Sequence, residues 1–198
     1  NNVQSVPFSI TSEWGYTVSL EGMRIAPARK ADLYKYSLQW QQLIPFYPKH
    51  STWLLKLAVA GTTAKRTETL ASQSRPGEQG SASDLDLPLR GYSRGLITGR
   101  RTYLASPEFR MPLGQIFRAS DTFPFFSKNI GVYAFGDLAK LQYDSKNLSP
   151  LFASVGGGFL MNVQLGYLLP VNLKIEIARG LNKDYGAETQ FTIGMNSL

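Results

Sequence analysis

The chain has 198 residues, 21 basic and 14 acidic side chains for a net charge of +7, 43% hydrophobic residues and no cysteine. That length fits one domain rather than several, the missing cysteine excludes a disulfide-stapled fold, and no run approaches the roughly 20 apolar residues that a membrane-spanning helix needs. The basic residues form no block interleaved with exposed aromatics, which argues against a nucleic-acid partner.

The first element runs from Glu13 to Arg24, where Trp14, Tyr16, Val18 and Leu20 alternate with Glu13, Thr17, Ser19 and Glu21. A period of two marks a β-strand with one dry face and one wet face. Pro27, Arg29 and Lys30 end it, and a second strand sets Tyr34, Tyr36, Leu38 and Trp40 against Lys35, Ser37, Gln39 and Gln41. After Pro45 and Pro48 the third sets Trp53, Leu55, Leu57 and Val59 against Lys56, Ala58 and Ala60. A long loop is expected at about 61–101, where the stretch to Leu89 is rich in Ser, Gly, Thr, Glu and Lys and has no periodicity. Loops of this length belong to the extracellular side of membrane barrels.

The fourth strand, Arg101 to Leu113, carries Tyr103, Ala105, Phe109 and Met111 on one face and Glu108 and Arg110 on the other. The fifth, Asn129 to Lys140, sets Ile130, Val132, Ala134 and Leu138 against Tyr133, Phe135 and Asp137. In the sixth, Phe152 to Gly166, Ala153, Val155, Phe159, Met161, Val163 and Leu165 face away from Ser154, Asn162 and Gln164, and Gly156, Gly157 and Gly158 predict a bend or bulge. A tight turn at Leu169 and Pro170 leads into a seventh strand with Leu173, Ile175 and Ile177 opposite Lys174 and Glu176. The eighth, about Glu188 to Leu198, sets Phe191, Ile193 and Met195 against Gln190, Thr192 and Asn196.

Glu21, Lys56, Arg110, Asp137, Lys174 and Glu176 all fall on the wet side, and the dry side carries no charge within the central spans. A Lys or Arg facing lipid near mid-bilayer would cost about 2–4 kcal/mol. The expected class is therefore all-β: a transmembrane antiparallel β-barrel occupying residues 1–198, with eight strands in this chain. A soluble barrel or sandwich gives the same alternation and is the competing reading. His50 is the only histidine and sits in the turn Pro48-Lys49-His50-Ser51 without a second ligand or nucleophile. With no cysteine, P-loop or metal-ligand spacing either, no enzyme, cofactor or metal site is expected.

Leu89-Arg90-Gly91-Tyr92, in a long loop, is followed by Ser106-Pro107-Glu108-Phe109-Arg110 and Phe135-Gly136-Asp137-Leu138-Ala139. These segments, with the glycine-rich sixth strand, the Leu169-Pro170 turn and Ala178-Arg179-Gly180-Leu181, resemble the C-terminal bacterial surface antigen domain of the Omp85 superfamily over roughly residues 85 to 198. Two features depart from that pattern: Ala139 stands where the family has glycine, and the chain ends Asn-Ser-Leu rather than on an aromatic residue.

The resemblance implies that Arg90 reaches Asp137 and Glu108 on the inner barrel wall, that Gly91 permits the tight turn and that Tyr92 packs into the lumen. It also implies the last half of a sixteen-stranded barrel, since three strands precede the loop and five follow it; eight strands closing alone would nearly fill their own interior. A second half of the barrel, a homo-oligomer, or a small closed barrel are the alternatives. The function implied is assembly of other outer-membrane proteins, or polypeptide translocation, in the bacterial outer membrane. Its partners would be membrane lipids and a client polypeptide. Gln190, Phe191, Ile193 and Met195 would form a seam strand able to template a client strand. A structural anchor that holds a soluble partner without transport is the other reading.

Overall fold

The computed structural model describes residues 2–4, 13–25, 33–48, 50–62, 89–92, 101–119, 125–142, 150–165 and 169–197. Nine strands form one antiparallel sheet in sequence order: β1 (Asn2–Gln4), β2 (Trp14–Ile25), β3 (Leu33–Phe46), β4 (Ser51–Thr62), β5 (Arg101–Ala119), β6 (Phe125–Gln142), β7 (Phe152–Leu165), β8 (Leu169–Gly180) and β9 (Thr189–Ser197). The eight periodic segments are all strands. The ninth, β1, has only three residues and pairs with Trp14, Gly15 and Tyr16, too short a run to leave a periodic trace. Within the expected loop, Gly61 and Thr62 continue β4, and residues 63–88 and 93–100 lie outside the described residues.

The two faces differ, the exposed one apolar and the buried one polar. Along β8, Ile175 and Ile177 are 41% and 54% exposed, whereas Glu176 between them is 2% exposed. Along β6, Leu138 is 44% exposed beside Asp137 at 1%. Trp14, Tyr16, Val18 and Leu20 of β2 are exposed as well. Val163 and Val171 depart from this rule: they share a row with Ser127 and are buried, next to a register shift between Ser127 and Asn129.

The glycine run of β7 does not bulge. Gly156, Gly157 and Gly158 pair regularly with Phe135, Ala134 and Tyr133 on one side and with Ala178, Ile177 and Glu176 on the other. The irregularities lie instead in the β5–β6 pair, between Pro112 and Gly114 and between Gln115 and Arg118, and at Ser127/Asn129. Proline has no N–H for the ladder, and Pro112 is where the β5–β6 register first slips.

The sheet is open. Among the described residues β9 pairs with β8 alone, and β2 pairs with β3 along its length and with β1 only at its start. The small closed barrel needs the first and last long strands to pair, and they do not. The strand order puts the β4–β5 loop at the same end as the β6–β7 and β8–β9 connections. At that end a cluster on the polar side joins Ala58, Ala60, Leu104, Ala139, Leu141 and Phe152 to Leu89 and Tyr92 of the loop.

Candidate functional site

Between Phe152 and Leu160 the polar side of β7 carries only Ser154, Gly156 and Gly158, so a shallow trough runs between β6 and β8. Rings from β6 fill it. A Cβ on Gly156 would run into the Phe135 ring and the Ile177 carbonyl, and one on Gly158 into the Ile175 carbonyl and the Tyr133 hydroxyl. Tyr133 thereby crosses β7 and donates its hydroxyl to Glu176 Oε2 at 2.8 Å. The absent side chains let β6 and β8 share a polar network that an ordinary β7 would separate.

Arg90 descends onto this network from the loop. Its Nε and Nη2 bind Asp137 Oδ2 and Oδ1 at 2.7 and 2.6 Å, a bidentate pair. Nη1 reaches Glu176 at 3.1 Å and Glu108 at 3.4 Å, and Nη2 also donates to Ser106 Oγ at 3.0 Å. The guanidinium carbon stands 3.2 Å from the centre of the Phe135 ring. A planar, delocalised cation suits both bidentate and stacked contacts at once, which lysine cannot reproduce. Ser106 donates to Asp137 Oδ1 at 2.6 Å, while Glu108 holds Arg110 at 2.7 Å and Glu176 holds Lys174 at 2.9 Å. Burial by itself lowers the pKa of Arg90, but the Asp137 bonds and the charges of Asp137, Glu176 and Glu108 outweigh it and raise the group above its ordinary value.

The residues after Arg90 complete the attachment. Gly91 has φ +80°, and a Cβ there would meet the Arg179–Gly180 backbone, so both the conformation and the close approach require glycine. Tyr92 is 1% exposed, packs edge-on against Phe152 at 5.9 Å and donates its hydroxyl to the Ala153 carbonyl at 2.7 Å. Gln190 holds both flanks: its Oε1 accepts from Gly91 N–H at 3.0 Å and its Nε2 donates to the Tyr92 carbonyl at 2.9 Å. The Gly91 carbonyl accepts from Glu188 N–H at 3.0 Å, and Tyr92 bridges Ala187, so the loop adds a short backbone pairing beside β9.

Arg90, Gly91, Tyr92, Glu108 and Asp137 are thus brought together at one place. Glu176, Ser106, Phe135 and Gln190 join them without having been expected there. Leu169 and Pro170, expected as a tight turn, instead open β8 opposite Leu165 and Gln164; the same register sets Glu176 opposite Gly158, so Glu176 could have been found by pairing the two strands. Of the seam residues, Phe191, Ile193 and Met195 point to the apolar side and are 66%, 67% and 62% exposed, while Gln190 turns to the loop. His50 lies far along the chain from this network and its Nδ1 is 2.7 Å from Glu13 Oε1. Comparison with protein families, with curated proteins and with solved structures finds no match for this chain.

Proposed function

We propose that this chain is an outer-membrane β-barrel segment of the Omp85 type that assists insertion of other barrel proteins or passage of polypeptides across the bacterial outer membrane. The observation that carries the reading is the loop arginine, Arg90, held by Asp137, Glu108 and Glu176 on a buried polar face whose reverse side is exposed and apolar. In a barrel that polar side lines the lumen and the apolar side meets lipid. Eight of the strands have nine residues or more, long enough to cross a bilayer at a tilt, for which about 9–11 residues suffice.

The open edges fit the assembly role. An edge strand presents unpaired backbone groups that a client strand can add to, and β9, with Phe191, Ile193 and Met195 toward the lipid side, is the strand that would offer them. The rest of the wall would come from further chain or from a second copy. Reconstitution into vesicles with fluorescently labelled client barrels tests the proposal: the protein should speed their insertion. An unchanged insertion rate would remove the assembly role, and retention of a soluble partner on those same vesicles would favour the anchor.

A further inference from the structure

The charges on the apolar side are distributed unevenly. Alternation along β5, β6 and β8 puts Arg101, Lys140 and Arg179 on that side, exposed and within the last rows toward the long-loop end, against a single exposed lysine, Lys128, at the described opposite end of β6. The described strand acids Glu21, Glu108, Asp137 and Glu176 lie on the other side. Beneath Arg101 and Lys140 an open apolar groove of about 440 Å³ runs over β3 to β6, lined by Trp40, Leu57, Val59, Tyr103 and Leu138 with Lys140 at its rim. Tyr103 pairs directly with Val59 and Lys140, and Arg101 sits one rung nearer the loop end.

From this arrangement we infer that the groove holds one anionic, phosphate-bearing lipid of the leaflet at the long-loop end. Its acyl chains lie along Trp40, Leu57 and Leu138, and its headgroup phosphate is bound by Lys140 and Arg101. The inference rests on the membrane reading above. A cation exposed at the end of a greasy groove binds a phosphate through charge-assisted hydrogen bonds. An aromatic ring such as Tyr103 beside it suits the boundary between acyl chains and headgroups. The acids of the opposite side are screened from this site by the sheet itself.

Trp40 reports on the site directly when Trp14 and Trp53 are changed to Phe, leaving it as the only tryptophan. In phosphatidylcholine vesicles, chain-brominated phosphatidylglycerol should quench Trp40 more strongly than chain-brominated phosphatidylcholine at the same mole fraction. The double variant R101Q/K140Q should lose that preference, by about fivefold in relative affinity for each basic side chain removed. K128Q, which removes an exposed lysine from the opposite end of β6, should keep it. Equal quenching by the two lipids, or a preference that survives R101Q/K140Q, overturns the lipid site and leaves the membrane reading standing. No quenching by either lipid overturns both.

Discussion

Arg90 binds three carboxylates, a hydroxyl and a ring with one side chain, and it is only 12% exposed. Removing one partner of a buried ion pair costs about 3–5 kcal/mol, because the charge left behind has lost its compensation. Arg90→Ala should therefore lower stability in denaturant titration by that order. Asp137 suffers most, since Glu108 and Glu176 keep Arg110 and Lys174. Arg90→Lys should recover only part, as a point charge cannot span both Asp137 oxygens. The double change R90A/D137A should cost less than the sum of the single changes, the mark of direct coupling.

Gln190→Ala separates two roles for one residue. If its amide holds the loop, the change leaves Gly91 N–H and the Tyr92 carbonyl without that partner and costs about 1–3 kcal/mol. Limited proteolysis in detergent should then cut the β4–β5 loop faster than in the wild type. Unchanged loop cleavage would return Gln190 to a role in the edge strand alone. Alternation puts Asp137 and Glu108 on one face, but only the resemblance implies that Arg90 reaches them, since a loop residue has no periodicity to locate it. Gln190 was not legible in the sequence, since its two bonds go to loop backbone that no periodicity locates.

At the scale of the element, β7 is the least ordinary strand. Its glycine run predicts a bend or bulge, yet the pairing through Gly156, Gly157 and Gly158 is regular. The use of Gly156 and Gly158 is lateral: they clear space for Phe135 and Tyr133, which a pattern along one strand cannot reveal because the reason lies on the neighbours. Gly158→Ala should push Tyr133 off Glu176 and cost about 1–3 kcal/mol, as overfilling a packed site does. Combining it with Tyr133→Phe, which has no hydroxyl to displace, should recover part of that loss. An equal loss in both backgrounds would mean that the clash with the Ile175 carbonyl, which the new methyl group also meets, accounts for all of it.

The strands themselves were the most legible part of the chain. Alternation located eight of nine, because burial on one face imposes period two, and it missed β1, which has three residues. It also placed the charges by side. It could not say which side was buried, and the buried side proves to be the charged one, with Glu108, Asp137 and Glu176 at 2%, 1% and 2% exposure.

For the whole molecule, the proposed barrel requires the exposed Leu, Ile, Val and aromatic side chains to face lipid and the buried charges to face a lumen. Large apolar surfaces on water-soluble monomers are uncommon, and a face of this extent needs a nonpolar environment. The absence of cysteine allows one nitroxide label to be attached at a time along β3, at Leu38, Gln39, Trp40 or Gln41, in protein reconstituted into vesicles. Labels at Leu38 and Trp40 should relax with oxygen dissolved in the bilayer, and those at Gln39 and Gln41 with a water-soluble nickel complex. Labels at Leu38 and Trp40 that respond to the nickel complex as strongly as those at Gln39 and Gln41 would contradict the proposed barrel.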